Sequence, residues 1–401
     1  MKGEMKQYFS SLKYRDFRLF WGGQMVSLTG TWMQNIAQSW LVLQLTNSPF
    51  LLGVTNAIAA LPILLFSLVG GAISDQLNKR KLIILTQTTQ MVLAFIMGIL
   101  ISTRVITFWH IVVIVALLGM TNAFDMPARQ AFIVEIVGKN DLSNAIALNS
   151  LIFNIARIIG PVIAGFVVGT LGVGPCFYLN ALSFLAVIAG LFMMRGDFSA
   201  KNPTSDSLRD STFDGAKYVW RNVQIRNLII LVAISSLFGM SYMVLMPIFA
   251  RDILMIGAKG LGLLVAAIGV GALLGSFSLT IFSHSPKVSR FIPIGGMILG
   301  LALVVFGLSR TLSVSLAALV AIGWGLITQT ATINNLLQKH TSDELRGRVM
   351  GFYTLMFMGM VPVGSFQAGL IADRFSVPTS VAVGGLACFA ASAVLRRRFS
   401  Y

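Results

Sequence analysis

Apolar runs of 18 or more residues recur along almost the whole chain, and they constrain its fold more than any other feature. Each run is long enough to cross about 30 Å of hydrocarbon as an α-helix. The 401 residues are 56% hydrophobic and only 11% charged, whereas about a quarter of the residues in a soluble domain are charged. The runs lack the alternation of barrel strands. The sequence therefore predicts an all-α membrane protein.

Twelve spans are predicted, at 19–44, 50–73, 82–103, 107–127, 143–169, 175–194, 227–250, 261–283, 289–309, 313–338, 349–371 and 377–395. They form an N-terminal six-helix bundle over 1–195 and a C-terminal one over 227–401. The hydrophilic connection 196–226 reads as a linker that ends in a short amphipathic helix on the inner leaflet. Similar segments precede the first and seventh spans, which indicates two parallel repeats.

Loop charge predicts the orientation of these spans. Of the 30 Lys and Arg residues, 24 fall on the side that holds both termini and the central connection. Positive residues concentrate in cytoplasmic loops, so we expect both termini in the cytoplasm of a bacterial inner membrane, with no removable signal peptide. This distribution also argues against a nucleic-acid partner for the net charge of +16. The two cysteines have no metal-type spacing.

The loop after the second span reads Gly-Ala-Ile-Ser-Asp-Gln-Leu-Asn-Lys-Arg-Lys from Gly71 to Lys81. It resembles the signature loop of the major facilitator superfamily, in the same position between the second and third helices. The residues that match are Gly71, Asp75, Lys79 and Arg80. This resemblance implies a twelve-helix transporter fold with two pseudo-symmetric bundles. A small residue such as Gly71 would let two helices approach closely.

A second motif, Asp-Met-Pro-Ala-Arg, closes the predicted fourth span between Asp125 and Arg129. In the family, an acidic residue here commonly joins the charge network of the signature loop. Asp125 with Arg80 or Arg129 is therefore a candidate cytoplasmic gate, and a simple surface ion pair is the alternative. Together with the segment around Arg346, the motif resembles the branch that contains enterobactin exporters and macrolide-efflux proteins.

The fifth span carries Ala-Arg-Ile-Ile-Gly-Pro-Val-Ile-Ala-Gly, which is similar to the antiporter signature of exporters in this superfamily. Its matching residues are Gly160, Pro161 and Gly165. Arg157 lies near the middle of this span, where a charge is costly unless it has a partner or a wet cavity. All 14 acidic residues are expected in loops or at helix ends. Arg157 is therefore predicted either to contact an anionic or strongly polar substrate or to anchor neighbouring helices.

Polar residues at helical spacing complete the candidate site. The first span presents a row of Gln and Ser/Thr side chains, and shorter rows occur in the fifth, seventh and tenth spans. The family resemblance implies that helices 1, 4, 7 and 10 line a central cavity. The predicted substrate-binding residues are Gln34, Asn35, Gln38, Asn154, Arg157, Tyr242, Trp324 and Gln329. The alternative is that these side chains bond neighbouring helices in lipid.

The leading hypothesis is a secondary transporter that exports a small amphipathic compound, such as a drug-like molecule or siderophore, by alternating access. Proton coupling is expected from the resemblance, with Asp125 as the first candidate. Uptake of an anionic nutrient or lipid is the alternative, and a membrane sensor or enzyme is a third hypothesis. We expect no catalytic residue, metal or cofactor, and a monomer whose partners are substrate, proton and membrane lipid.

Overall fold

A computed structural model describes residues 10–196, 218–282, 285 and 288–396. Every regular element in these ranges is a helix. A short 3₁₀ helix, Ser10–Lys13, precedes the first long one. The long helices are α1 (Arg15–Thr46), α2 (Pro49–Gln76), α3 (Lys79–Ser102), α4 (Phe108–Val137), α5 (Leu142–Leu171), α6 (Gly174–Met193), α7 (Val223–Leu237), α8 (Gly257–Phe282), α9 (Phe291–Leu308), α10 (Leu312–His340), α11 (Asp343–Arg374) and α12 (Val377–Arg396).

Within the described ranges, eleven helical segments are long and apolar enough to cross a membrane, one fewer than predicted. The helix that falls short is α1. Its 32 residues exceed the length of a span, but its row of polar side chains lowers its hydropathy. Several of these side chains, including Gln24, Ser27 and Gln34, are buried against protein. Helix α1 is therefore long enough to cross the bilayer, but its buried polar side chains lower its mean hydropathy.

Helix α4 is longer than predicted, because it does not end at Pro127. It continues to Val137 with Pro127 in its interior. A proline has no N–H to donate, so the carbonyl of Ala123 loses its helical partner. Membrane helices tolerate this when neighbours pack against the freed backbone. The consequence is that Asp125 lies inside a helix, and the expectation that all acidic residues occupy loops or helix ends is wrong for it.

Helix α7 is interrupted where the sequence predicted one continuous span. After Leu237 the chain turns at 238–240 and then continues as a 3₁₀ helix, one α-helical turn and a π-helical turn, over Ser241–Leu245, Met246–Ile248 and Phe249–Ile253. Pro247, which lacks an N–H, lies in this region. The break is packed by aromatic side chains: Phe249 lies 4.3 Å from Phe306, centroid to centroid.

The helices group into two compact units. Unit 1 comprises Met1–Leu45 and Ile58–Thr204, and unit 2 comprises Thr46–Ala57 and Ser205–Tyr401. The first turns of α2 are grouped with unit 2. The predicted division at 196–226 into two six-helix bundles stays a prediction.

One apolar core of unit 1 joins α1, α3, α4, α5 and α6. Phe20 of α1 meets Phe132 of α4 edge to face, with ring centroids 5.5 Å apart. Burial of aromatic side chains of this size contributes strongly to helix packing.

A corresponding core of unit 2 joins α7, α9, α10 and α11. Tyr353 and Phe357 stack within α11, with centroids 6.0 Å apart. Residues 218–221 are helical, and Val219 is buried in this core. The predicted amphipathic helix therefore inserts an apolar side chain into protein at this position; its first part, 213–217, lies outside the described residues.

Candidate functional site

Unit 1 contains an ion pair inside its helices. The Asp125 carboxylate lies 2.5 Å from Nε of Arg129, one turn later on α4. Their side chains are 3% and 17% exposed, respectively. A carboxylate and a guanidinium at this depth are costly singly, and each lowers the cost of the other when they form an ion pair.

Neutral polar side chains surround this pair. Thr86 Oγ1 and Gln87 Nε2 of α3 both donate to the Asp125 carboxylate, at 2.6 and 3.2 Å. Gln90 extends the network by donating to Asn122 of α4 at 3.0 Å. We call Thr86, Gln87, Gln90, Asn122, Asp125, Arg129 and Gln24 the charged network. Arg129 donates to the side-chain oxygen of Gln24 on α1, so the network connects three helices.

The signature loop does not supply the partner of Asp125. Arg80 donates instead to the backbone carbonyl of Phe192 at 3.2 Å, so the predicted alternative pair between Asp125 and Arg80 is absent. Lys79 is buried and pairs with Glu135 of α4 at 2.8 Å. The side chain of Asp75 lies outside the described residues. The basic residues of the loop therefore hold the ends of α4 and α6 within unit 1.

The predicted close helix contact at Gly71 occurs one residue earlier. A Cβ on Gly70 would lie 2.2 Å from the carbonyl oxygen of Ala123, whereas a Cβ on Gly71 would meet no atom of another helix within 4 Å. Ala123 O is the acceptor that Pro127 leaves without its helical N–H. Gly70 therefore lets the backbone of α2 approach α4 at this point, and a side chain would prevent that approach.

Arg157 lies in the middle part of α5, beside the aromatic side chains of α1. Its guanidinium carbon is 5.8 Å from the centroid of the Trp32 ring. Trp32 also meets Phe153 edge to face, with centroids 5.8 Å apart. Arg157 and Asn154 are half-buried, and Phe153 is exposed. We call Trp32, Phe153, Asn154 and Arg157 the cationic–aromatic patch.

The antiporter-like motif positions this patch. A Cβ on Gly160 would lie 2.6 Å from Trp32 Cβ and 2.8 Å from the Thr29 carbonyl oxygen, so α5 packs tightly on α1 here. Pro161 lies inside α5 and cannot donate to the carbonyl of Arg157. Gly165 is buried one turn further on. The motif thus fixes the α1–α5 contact directly beside Arg157.

The polar row of α1 divides between packing and exposure. Gln34 is buried and accepts a hydrogen bond of 2.7 Å from Asn180 Nδ2 of α6. Gln38 is half-buried, and Asn35 is exposed. Asn154 of α5 donates to the Ser150 carbonyl of its own helix at 2.8 Å. Of these four residues, Gln34 is hydrogen-bonded to a neighbouring helix.

The predicted residues of unit 2 are mostly interior. Gln329 is fully buried; it accepts from Ser235 of α7 at 2.6 Å and donates to Ser392 of α12 at 3.3 Å. Tyr242 is buried beside Phe306. Trp324 is half-buried and donates to Ser278 of α8 at 3.1 Å.

Arg346 occupies a different environment, since it is exposed on α11 and donates to the backbone carbonyl of Gln338 at 3.1 Å. It is thus positioned at the connection between α10 and α11 and not within a buried network.

Sequence reasoning missed Thr86, Gln87, Asn180 and Glu135, which complete the buried contacts. The available signal was the run Thr86, Gln87 and Gln90, whose spacing of three and four places them on one face of α3. Buried Asn and Gln in a membrane helix require partners, which would have directed attention to α4.

The comparison with known proteins settles the family. The profile of the family described as "Transmembrane secretion effector" matches residues 6–400. This chain belongs to that family. It is one of the major facilitator transporters, and its fold is of that class.

Curated relatives of this secretion-effector chain have names that refer to transport. The Staphyloferrin A transporter of Staphylococcus aureus is 26% identical, with 92% of each chain covered. The multidrug efflux pump Tap of Mycolicibacterium fortuitum is 24% identical, with 84% of each covered. The enterobactin exporter EntS of Shigella boydii is 22% identical, with 92% of this chain and 88% of the relative covered.

Solved structures share the fold of this transporter. The nucleoside transporter NupG has a TM-score of 0.75 at 12% identity, covering 96% of this chain and 98% of its own. A bacterial homologue of the iron transporter ferroportin has a TM-score of 0.71 at 15% identity. The family match and the curated relatives, and not these structures, identify the secretion-effector chain as a multi-span transporter of a bacterial membrane and not an enzyme. Its family and relatives support export by a secondary transporter.

Proposed function

We propose that this transporter exports a small amphipathic compound, a drug-like molecule or a siderophore, by alternating access in exchange for protons. The observation that carries the proton coupling is the buried Asp125–Arg129 pair in α4. An ionisable pair inside membrane helices is a functional candidate, because a purely structural role could be filled by apolar side chains at lower desolvation cost. The names of the relatives support the substrate class.

Protonation of Asp125 changes the charged network in a defined way. It removes the negative charge that balances Arg129 and turns an acceptor of Thr86 and Gln87 into a carboxylic acid. Arg129 then depends on Gln24 of α1, to which it already donates. The bonds between α1, α3 and α4 therefore differ between the two protonation states, which is what a coupling site requires.

The experiment is transport by purified protein in proteoliposomes with an imposed pH gradient. Candidate substrates include a lipophilic cation and an aromatic carboxylate. Asp125→Asn is expected to abolish flux driven by the gradient while the protein remains monodisperse. Asp125→Glu keeps a titratable group and is expected to retain part of the flux. Asp252→Asn is the matched control, because its carboxylate is 45% exposed and pairs with Arg251; it is expected to transport normally.

Gradient-driven flux that is unchanged in Asp125→Asn removes Asp125 from the mechanism. The direction of transport is read from expressing cells: depletion of the substrate supports export, and accumulation supports the alternative of uptake of an anionic nutrient or lipid. Neither direction affects the family assignment.

We also propose that the protein is a monomer and that it lies in the inner membrane. Both termini are expected in the cytoplasm, because the loop charges predict this orientation. Impermeant thiol labelling of a cysteine added at the C-terminus tests this orientation in intact cells. Labelling before the cells are permeabilised contradicts it.

A further inference from the structure

The geometry of the cationic–aromatic patch points to a substrate class. We infer that Arg157, Trp32, Phe153 and Asn154 bind a carboxylate attached to an aromatic ring system on the exported compound. This inference rests on the proposed transport function and narrows its substrate. It follows from three features of the patch: its charge, its flat aromatic wall and its fixed position.

The charge comes from Arg157, which carries a guanidinium in the middle part of a membrane helix. Such a charge is costly and indicates a functional contact. Arginine presents N–H donors in a planar fork that matches the two oxygens of a carboxylate. The residue is half-buried, and its Nε atom lies inside the protein. Asn154, one turn earlier on α5, adds an amide that is half-buried as well.

The aromatic wall comes from α1 and α5. The Trp32 ring lies 5.8 Å from the guanidinium carbon, within the range of a cation–π contact. Phe153, which is 44% exposed, meets Trp32 edge to face and extends the apolar surface. A ligand whose carboxylate meets Arg157 can place its ring against these side chains. Flat aromatic anions therefore fit better than aliphatic anions of the same charge.

The patch is held in place by the backbone. Gly160 lets α5 lie so close to Trp32 Cβ and the Thr29 carbonyl oxygen that a side chain at this position would clash with α1. Pro161 fixes its own φ and removes one helical hydrogen bond at the Arg157 carbonyl. A binding group fixed in this way loses less conformational entropy when the ligand arrives.

Matched ligands test the inference on purified full-length protein by isothermal titration. The probes are 1-naphthoate, 1-naphthamide and 1-naphthylmethylammonium, which have similar shapes and differ in charge. Wild-type protein is expected to bind the carboxylate at least about tenfold more tightly than the amide, a difference of about 1.4 kcal/mol, and the ammonium most weakly. Cyclohexanecarboxylate is expected to bind more weakly than 1-naphthoate, because it lacks the flat ring.

Substitutions test whether the cationic–aromatic patch causes the preference for the carboxylate over the amide. Arg157→Gln is expected to reduce the carboxylate-to-amide ratio to about one, and Arg157→Lys to an intermediate value because lysine lacks the fork. Trp32→Leu is expected to weaken both naphthyl ligands while keeping the charge preference. Arg310→Gln is the control, since this arginine is exposed in the loop between α9 and α10; its ratio is expected to stay at the wild-type value.

The inference is overturned by equal binding of carboxylate and amide, by tighter binding of the ammonium, or by a preference that persists in Arg157→Gln. Displacement of 1-naphthoate by phosphatidylglycerol in wild type but not in Arg157→Gln also overturns it, because the anion would then be a lipid headgroup. Proteoliposome flux of the lipophilic cation, unchanged in Arg157→Gln, contradicts the substrate class and leaves the transport function intact. Failure of wild type to transport any probe contradicts the transport function itself.

Discussion

The interiors of the two units differ in chemistry although both are helical bundles with an apolar core. Unit 1 buries a carboxylate and a guanidinium among amides and hydroxyls that connect α1, α3 and α4. Unit 2 connects α7, α10 and α12 through Ser235, Gln329 and Ser392, which are all neutral. We call these last three residues the neutral network. Among the described side chains, the ion pair inside a membrane helix is thus Asp125–Arg129 of unit 1.

Close backbone contacts between helices occur in both units, as at Gly70 of α2 in unit 1. In unit 2, a Cβ on Gly300 of α9 would lie 2.5 Å from the backbone nitrogen of Phe389 and 2.6 Å from the Gly385 carbonyl oxygen. Here α9 and α12 touch backbone to backbone. Contacts of this kind cannot respond to a proton, whereas an ion pair can. The proposed proton coupling therefore relies on the ion pair of unit 1 and not on these contacts.

The largest expected effect concerns the ion pair. Asp125→Leu leaves the Arg129 charge buried without its carboxylate, and breaking such a pair typically costs about 3–5 kcal/mol. Adding Arg129→Leu removes the orphaned charge, so the double variant is expected to recover most of this stability. Denaturant unfolding in detergent measures both. If the double variant is as unstable as the single one, the pair is not the source of the difference between the units.

The second largest effect comes from adjacent glycines of α2. Gly70→Ala places a methyl group 2.2 Å from a backbone oxygen, and Gly71→Ala meets open space. Overpacking of this kind costs about 1–3 kcal/mol. We expect a lower midpoint of thermal unfolding for Gly70→Ala and no loss for Gly71→Ala. Equal midpoints contradict the close contact between α2 and α4.

The sequence predicts the spans well because hydrophobic length is a local property. It leaves Arg80 and Arg129 as alternative partners of Asp125; in the structure the partner is Arg129, four residues later on the same helix. It predicts poorly which helix a neutral side chain meets. The row on α1 is visible in the sequence, but only the packed fold shows that Gln34 meets Asn180 of α6.

Helix register and helix ends are the other limits of prediction. A shift of one residue rotates a side chain by about 100°, which separates Gly70 from Gly71. Helix α4 runs through Pro127, and α2 packs against the carbonyl that the proline leaves without a helical donor. Both facts depend on a neighbouring helix and cannot be read from α2 or α4 alone.

The third prediction compares neutral contacts in the two units. Hydrogen bonds between membrane helices contribute about 0.6 kcal/mol on average and up to about 1.7. Gln34→Leu in unit 1 and Gln329→Leu in unit 2 are therefore expected to cost similar amounts, both well below Asp125→Leu. Unfolding free energies of the three variants test this order. If Gln34→Leu loses nearly as much unfolding free energy as Asp125→Leu, the location in unit 1, and not the charge, accounts for the larger cost of Asp125→Leu.

The smallest expected effect concerns the contact between Lys13 and Asp141, just before α5 begins. Lys13 lies 2.7 Å from the Asp141 carboxylate, to which Tyr14 also donates at 2.8 Å. The pKa of Asp141 is lowered from 3.8 to about 2, mainly by the hydrogen bond that Lys13 donates to its carboxylate. Ser11 is held nearby, since its hydroxyl donates to the Asp141 backbone carbonyl.

Because the pKa of Asp141 is lower in the folded state, this contact stabilises the fold above about pH 4 and is lost as the pH falls towards 2. At neutral pH, Asp141→Asn should imitate the acidic state and speed hydrogen exchange in Ser10–Lys13 without slowing transport. Tyr14→Phe keeps the Lys13 partner and is expected to change exchange less. If Asp141→Asn instead slows proton-driven flux as is expected for Asp125→Asn, charge sensing extends beyond α4 to the N-terminal end of α5. The charged network alone then no longer distinguishes the two units.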